Sequence, residues 1–126
     1  MLDTSALLYW TLDPQRLSRK AKRAIADSTS RGVCVSAISL WEIGIKTRRG
    51  TLTLGVSFDE YVQRVQRVKE LEILAVDVRV WLHVGDMPWD HRDPADRVIV
   101  ATAELRRASL VTSDANVRDY YERAVW

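Results

Sequence analysis

Four acidic residues stand at positions where they could share one chemical task. Asp3 and Asp114 each follow a short apolar run, whereas Glu42 and Asp96 lie in the first turns of two predicted helices. Carboxylates that meet at one edge of a fold repel one another and raise their own pKa values, and a hard divalent cation relieves that repulsion. A set of oxygen ligands favours Mg²⁺ or Mn²⁺ over Zn²⁺. A cation held in this way can polarise a phosphodiester and activate a water, so the acids predict metal-assisted phosphodiester hydrolysis.

Each acid also has a structural explanation, and these alternatives stay open at the level of sequence. Ser39 and Glu42 have the spacing of a capping box, in which Glu42 would only bond the backbone of Ser39. The segment DPAD at residues 93–96 is a good helix start with Pro at its first position. Asp3 and Asp114 could serve as a helix cap and a turn residue. The joint pattern of the four acids is what favours a functional site.

Short apolar runs alternate along the chain with longer amphipathic segments, and the four acids lie among them. The predicted strands are residues 1–2, 33–35, 73–76, 109–113 and 124–126. The predicted helices are residues 4–12, a segment capped by Ser18, 39–49, 58–70, a segment capped by Asp77, 95–107 and 118–121. Alternation of this kind predicts an α/β layered fold with a central, mainly parallel sheet flanked by helices. Ligands of such sheets bind beyond the carboxyl ends of the strands, where the acids would meet.

Composition sets the limits of the molecule. A chain of 126 residues with 47% hydrophobic content predicts one domain, residues 1–126, with one core. Cys34 is the only cysteine, so no internal disulfide can form and a thiolate metal cluster is excluded. The N-terminus lacks the pattern of a signal peptide, and no apolar run is long enough to span a bilayer. We therefore expect a cytoplasmic protein without membrane contact.

Three tryptophans are predicted to be core residues, whereas a fourth lies in the loop before residue 94, where contact with RNA is also considered. Trp10, Trp41 and Trp81 lie on apolar helix faces and are predicted to belong to the core. Trp89 lies in the loop beside His91, where local packing is preferred over stacking on an RNA base. His91 itself, with Arg92, either contacts phosphate at the rim of the site or forms a salt-bridged loop.

Four segments resemble, in order, the four motifs of PIN domains. They are LDTSALL at residues 2–8, SAISLWEI at 36–43, HRDPADR at 91–97 and LVTSD at 110–114. The second and third segments together resemble the VapC toxins of bacterial toxin–antitoxin pairs. The resemblance covers nearly the whole chain and implies a PIN-like fold and a metal-dependent endoribonuclease.

The resemblance also assigns roles to residues. It makes the catalytic and metal-binding acids, for Mg²⁺ or Mn²⁺, the following four: Asp3, Glu42, Asp96 and Asp114. It adds supporting residues: Thr4, Ser5, Asp93, Thr112 and Ser113. It suggests weaker contacts with RNA for His91, Arg92 and Arg97. Asp96 is preferred over Asp93 as the metal ligand because it directly precedes the helical run that begins at Arg97.

The partners implied by the resemblance are structured cellular RNA, such as loops of tRNA or rRNA, and a VapB-like antitoxin. A homodimer is also expected. Apolar residues of the N-terminal helices are candidates for an exposed groove that takes an antitoxin peptide, and the alternative is that they form ordinary core or a dimer contact. These residues are Ala6, Leu7, Trp10, Ile43 and Ile45.

Two other functions remain open from the sequence. One is a PIN-like module that binds RNA or protein without cleaving, against which the presence of all four acids argues. The other is a phosphotransfer enzyme with Asp3 as nucleophile. Such enzymes usually carry a second Asp two residues later, where this chain has Ser5.

Overall fold

The computed structural model describes residues 1–28 and 32–126. Within these ranges the chain alternates helices and short strands, as the apolar pattern predicts. The helices are α1 (Thr4–Leu12), α2 (Arg19–Ser28), α3 (Ala37–Arg48), α4 (Phe58–Gln66), α5 (Val78–Asp86), α6 (Pro94–Arg106) and α7 (Ala115–Tyr120). The strands are β1 (Val33–Ser36), β2 (Leu71–Leu74), β3 (Leu110–Val111) and β4 (Ala124–Val125). A 3₁₀ turn, Pro14–Arg16, follows α1.

The sheet is parallel and is held together at its centre by Leu2. Strand β1 pairs with β2, and β3 pairs with β4, both in parallel. Leu2 forms parallel bridges with Val35 on one side and Val111 on the other. The order across the sheet is therefore β2, β1, Leu2, β3, β4. The predicted mainly parallel sheet flanked by helices is confirmed.

Two clusters of buried side chains lie on the two faces of this sheet. Successive residues of a strand point to opposite faces. Leu2 and Val111 belong to one cluster, with side chains of α1 to α4, whereas Met1 and Leu110 belong to the other, with side chains of α5 to α7. Both helical layers therefore depend on the same central strand positions, which are followed by Asp3 directly and by Asp114 three residues after Val111.

Short polar residues begin most of the helices, as the sequence predicts. Side-chain oxygens of Asp3, Asp77, Asp93 and Asp114 accept hydrogen bonds from backbone N–H groups in the first turns of α1, α5, α6 and α7. Ser57 does the same for α4. These bonds satisfy donors that the helix itself leaves without partners.

Several predicted boundaries are wrong by a few residues. Helix α3 begins at Ala37 rather than at residue 39, and α4 ends at Gln66 rather than near residue 70. Strand β2 covers Leu71–Leu74, two residues earlier than predicted, and α7 begins at Ala115 rather than at 118. Tertiary packing decides where such elements end. Four residues of β1 pair with four residues of β2, and this pairing leaves residues 75–76 outside the sheet.

Burial corrects two predictions about apolar residues. Trp41 and Trp81, predicted to be core, are 54% and 51% exposed. Conversely, Ala6, Leu7 and Ile43 are fully buried, so they are core rather than the lining of an exposed groove. None of the helices that the structure describes is long and apolar enough to cross a membrane.

Two helical glycines allow a test of how closely α3 and α4 pack. A Cβ at Gly44 of α3 would lie 3.0 Å from the Phe58 ring of α4, whereas a Cβ at Gly85 of α5 would meet nothing within 4 Å. We expect Gly85→Ala to raise the free energy of unfolding by about 0.5 kcal/mol through helix propensity. Gly44→Ala should lower it by about 1 kcal/mol or more, because the ring must move. Urea unfolding of both variants measures this, and an equal gain in both would contradict the close packing.

Candidate active site

The first two acids lie at the carboxyl ends of neighbouring strand positions. Asp3 follows Leu2 and is only 6% exposed. Its Oδ1 accepts a hydrogen bond of 2.6 Å from the N–H of Ala6, and Asp114 Oδ1 accepts one of 3.0 Å from the N–H of Val117. The capping alternative is therefore confirmed for Asp3, whereas Asp114, expected as a turn residue, caps α7 instead. A cap occupies one carboxylate oxygen and leaves the other for a second partner, so capping and metal binding are compatible.

Thr112 connects these two acids. It is fully buried, and its Oγ1 accepts a hydrogen bond of 3.1 Å from the N–H of Asp114. Its side chain also hydrogen-bonds Asp3. A threonine hydroxyl can donate one bond and accept others, so Thr112 can serve both neighbours at once. This supports the role predicted for Thr112.

Burial and charge act against the ionised form of Asp3. Burial is the largest cause and raises its pKa to about 6, while hydrogen bonds from Thr112 and from the backbone of Ala6 lower it. The negative charges of Asp96 and Glu42 raise this pKa further. Asp3, Glu42 and Asp96 therefore lie within electrostatic range of one another, although they come from three separate segments of the chain.

Glu42 does not form the capping box that its spacing with Ser39 suggested. Because α3 begins at Ala37, Glu42 lies in its second turn, and the prediction of a first-turn position is wrong. Its Oε2 accepts a hydrogen bond of 2.6 Å from Thr4 Oγ1, and its Oε1 forms an ion pair with Lys46 Nζ. The carboxylate thus points towards the start of α1, where Asp3 lies.

Asp93 and Asp96 have separate contacts, and the predicted cap by Asp93 is confirmed, while the role of Asp96 as a metal ligand stays a prediction. Asp93 Oδ1 accepts a hydrogen bond of 2.9 Å from the N–H of Ala95 and caps α6. Asp96 Oδ2 lies 3.0 Å from His91 Nε2. Burial raises the pKa of Asp96, the contact with His91 lowers it, and the charge of Asp93 raises it again.

A stack of three rings supports the loop in front of α6. Trp89 stacks in parallel on His91, with ring centroids 4.3 Å apart, and on Tyr120, with centroids 4.6 Å apart. These contacts support the prediction that Trp89 packs locally rather than stacking on a base. The stack also holds the imidazole of His91 against Asp96, which favours the loop-forming role over direct contact with phosphate.

Arg97 and Arg92, which are also predicted to contact RNA, differ in their positions. Arg97 Nη2 donates a hydrogen bond of 2.8 Å to the carbonyl of Val84, at the end of α5, and its Nε is buried. This inward hydrogen bond does not support a contact of Arg97 with RNA, which stays a prediction. Arg92 is exposed beside the acids. Ser113 contributes its carbonyl to Arg118, while side-chain roles for Ser5 and Ser113 stay predictions.

An open cavity of about 490 Å³ lies in front of Asp96 and Asp114. Its walls come from the loop before α6, the first turn of α6 and the start of α7. The lining residues are Trp89, Asp90, His91, Arg92, Asp93, Asp96, Asp114 and Asn116. The cavity is therefore predominantly acidic, with His91 and Arg92 as its basic members.

The donor set fits a hard cation that keeps part of its water shell. Among the described residues, no three Asp, Glu, His or Cys side chains form a ready-made metal cage. Mg²⁺ commonly binds through one or two carboxylates and retains several waters, so it does not require such a cage. The mutual effect of Asp3, Glu42 and Asp96 on pKa is the kind of electrostatic conflict that a divalent cation relieves.

The sequence places Lys46 in a basic cluster with Arg48 and Arg49 that could follow an RNA backbone, with a solvated helix face as the preferred explanation, but it predicts neither the pair of Lys46 with Glu42 nor the contact of Tyr120. Burial lowers the pKa of Lys46, but its hydrogen bond to Glu42 and the charges of Glu42, Asp93 and Asp96 raise it more, so the net shift is upward. The spacing of four residues between Glu42 and Lys46 is a signal that could have indicated this pair. No local signal connects Tyr120 with Trp89, because 30 residues separate them.

Comparisons with known proteins agree with this architecture. Residues 1–123 match the family model of the PIN domain. The chain is similar to Ribonuclease VapC22 of Mycobacterium tuberculosis, with 29% identity over 121 residues, which cover 95% of this chain and 90% of that protein.

Two solved structures share the fold. One is a toxin–antitoxin complex from Klebsiella pneumoniae, with a TM-score of 0.63, 18% identity and coverage of 99% of this chain and 94% of that one. The other is VapBC2 from Rickettsia felis bound to a DNA fragment from its promoter. Its TM-score is 0.70, its identity 14%, and the match covers 98% of this chain and 93% of that one.

The separate roles of Asp93 and Asp96 predict different effects on stability. Asp93→Ala should lower the free energy of unfolding by about 1 kcal/mol, because α6 loses its cap. Asp93→Ser can still cap and should retain most of that stability. Asp96→Asn should cost less than Asp93→Ala, because Asp96 caps nothing. Chemical denaturation of the three variants measures the differences, and a larger loss for Asp96→Asn would overturn these roles.

Proposed function

The chain belongs to the PIN-domain family, and from this membership we propose that it is a VapC-type endoribonuclease toxin neutralised by a cognate antitoxin. The single observation that carries the proposal is the electrostatic coupling of Asp3, Glu42 and Asp96, which come from the cap of α1, from α3 and from α6. The similarity to Ribonuclease VapC22 over 95% of the chain supports the same activity.

The cofactor in this proposal is Mg²⁺ or Mn²⁺, held by Asp3, Glu42, Asp96 and Asp114. When bound, such an ion polarises the scissile phosphate, activates a water and stabilises the leaving oxygen. Asp114 lines the same cavity as Asp96 and shares Thr112 with Asp3. These contacts support a common site for all four acids.

The chain's own residues orient the acids before any substrate arrives. Thr112 holds Asp3, Thr4 holds Glu42, and His91 holds Asp96. Because each carboxylate has a neighbouring partner, its orientation does not depend on the ligand alone. Fixing the ligands of a metal through such neighbours is what allows a site to act without large rearrangement.

The substrate class that we propose is unpaired or looped RNA within structured cellular RNA, such as tRNA or rRNA. The cavity in front of Asp96 and Asp114 is open rather than a deep groove. Sequence-specific recognition of RNA mostly uses unpaired segments, whose bases and backbone can enter an open site. We place the protein in the cytoplasm, where these RNAs are found.

The antitoxin in this proposal occupies a groove between α1 and α4. The groove has a volume of about 270 Å³ and is mainly apolar. It is lined by Trp10, Thr11, Leu12, Val56, Tyr61, Arg64, Val65 and Val68. Leu12 is 45% exposed at the end of α1, so its side chain is available to a partner. An amphipathic antitoxin segment would place its apolar face here, as in helix-in-groove binding.

A second copy of the chain occupies a different surface in this proposal. Trp41, Val78, Trp81 and Leu82 are exposed large apolar residues of α3 and α5. Two of them, Trp41 and Trp81, line a groove of about 560 Å³ together with Ala37, Ile38, Ala75, Val76, Pro94, Ala95 and Val98. An exposed apolar face can meet the same face of a second copy in a two-fold symmetric contact, and this supports a homodimer.

Substitution of the acids tests the catalytic proposal. Asp3→Asn and Asp96→Asn should lower RNA cleavage by at least roughly 100-fold, because each removes a charged metal ligand worth several kcal/mol in the transition state. EDTA should stop cleavage by the unsubstituted protein, and Mg²⁺ or Mn²⁺ should restore it. Mapping new RNA ends after incubation with total RNA measures both effects.

Asp59→Asn, which changes an exposed acid of α4, is the matched control and should cleave normally. Circular dichroism should show an intact fold in every variant. Full activity of Asp96→Asn would contradict the proposed site. Binding of RNA without cleavage by the unsubstituted protein would favour the non-cleaving PIN-like module instead.

One pair of variants tests the two proposed surfaces against each other. The chain is co-expressed with a candidate antitoxin, taken from any small reading frame found next to its gene, and the mass of the complex is measured by light scattering. Leu12→Glu should lose the antitoxin and keep the dimer, because it buries a charge in the α1–α4 groove. Trp81→Glu should halve the mass and keep the antitoxin. Identical masses for the two variants and the unsubstituted complex would contradict both surfaces.

A further inference from the structure

We propose that Lys46 is a phosphate-binding residue of this site, whose ammonium exchanges Glu42 for a phosphate oxygen of the RNA. The inference rests on the proposed ribonuclease function and deepens it, because it assigns the contact that brings an anionic substrate to an acidic site. It follows from the position of Lys46, from the charges around it and from the engagement of neighbouring basic residues.

Lys46 and Thr4 together occupy both oxygens of the Glu42 carboxylate. Thr4 Oγ1 donates to Oε2 at 2.6 Å, and Lys46 Nζ pairs with Oε1. Glu42 is only 14% exposed, whereas the side chain of Lys46 is 47% exposed. The more exposed ammonium therefore covers one oxygen of a largely buried acid on the side of the solvent from which RNA must approach.

The surroundings of Lys46 distinguish it from an ordinary pair on a helix surface. An ion pair between residues four apart involves one helix only. The charges of Asp93 and Asp96, at the start of α6, also raise the pKa of Lys46. The charges that act on its ammonium therefore come from the start of α6 as well as from α3. An isolated surface pair of this spacing would have little influence on function.

An acidic site needs positive charge beyond that of one divalent cation. Asp3, Glu42, Asp96 and Asp114 carry four negative charges when ionised, so a single divalent ion leaves the site net negative towards a phosphodiester. A lysine ammonium is a compact charge on a flexible stem and is a common phosphate ligand. Lys46 can therefore turn from Glu42 to phosphate without movement of α3.

Two neighbouring basic residues are already engaged. Arg97 donates to the carbonyl of Val84, and His91 is stacked on Trp89 while its Nε2 meets Asp96. Moving either would break a packed arrangement, whereas Arg92, which lines the cavity, is exposed and can contact RNA in addition to Lys46. The ion pair of Lys46 with Glu42 is partly exposed, so exchanging it for a contact with phosphate costs less free energy than moving Arg97 or His91.

The test uses Lys46→Met, which keeps an unbranched chain and removes the charge. Binding of Mn²⁺ alone, measured by calorimetry, should tighten roughly fivefold or more, because Lys46 no longer competes for Glu42. Cleavage of single-stranded RNA should nevertheless fall on the order of 100-fold in kcat/KM. Opposite changes in metal affinity and activity would not arise from a purely structural role.

A second readout isolates the phosphate contact. In the inactive Asp3→Asn background, the slope of log affinity for a single-stranded RNA oligonucleotide against log salt should fall by about 0.7 when Lys46→Met is added. Lys69→Met, which removes an exposed charge outside the site, should leave Mn²⁺ affinity and kcat/KM unchanged. Lys46→Arg should restore part of the activity.

The outcomes separate this inference from the proposed function. Unchanged Mn²⁺ affinity in Lys46→Met would overturn the competition for Glu42, and an unchanged salt slope would overturn the phosphate contact. Absence of RNA cleavage by the unsubstituted protein would refute the proposed function instead. In that case the Mn²⁺ and salt-slope measurements would still decide whether Lys46 acts as described.

Discussion

The structure depends on burying the carboxylate of Asp3, which directly follows the central strand position of the sheet. Leu2 joins the two halves of the sheet, and Asp3 follows it with 6% exposure. Burial disfavours the charge of Asp3, and the neighbouring acids add to that cost. The hydrogen bonds from Thr112 and from the N–H of Ala6 offset part of it. The helix start at α1 and the end of β3 are thus coupled through one side chain.

The same principle extends to the other acids, each of which has a partner suited to its position. Asp114 caps α7, Glu42 lies between Thr4 and Lys46, and Asp96 meets His91. These partners stabilise the carboxylates without closing a cage around a metal. An open group of partly satisfied oxygens is suited to an ion that keeps water ligands for chemistry. The three-ring stack of Trp89 then gives the most irregular wall of the site, the loop before α6, a fixed shape.

Helix α1 links the acids to the surface that we assign to the antitoxin. It begins at the cap formed by Asp3 and ends at Leu12, which lines the α1–α4 groove. Nine helical residues extend over about 13 Å, so a partner in the groove lies about one such length from Asp3. Exposed tryptophans on α3 and α5 mark the other surface. Both surfaces are apolar patches that the chain's own core leaves uncovered, and such patches are typical of interfaces.

Local chemistry in the sequence determined much of this protein. Apolar runs and capping residues predict the order of helices and strands, and the acids after apolar runs predict the site, because these signals act within a few residues. Tertiary structure alone decided the rest. Ser39 and Glu42 satisfy the local rule of a capping box, yet α3 starts two residues earlier and Glu42 turns to Thr4, which is 38 residues away in sequence. Trp41 and Trp81 have the pattern of core residues, but periodicity identifies an apolar face without stating whether the same chain or another copy covers it. Contacts between distant segments, such as Trp89 with Tyr120, depend on how elements pack, and no local pattern records that packing.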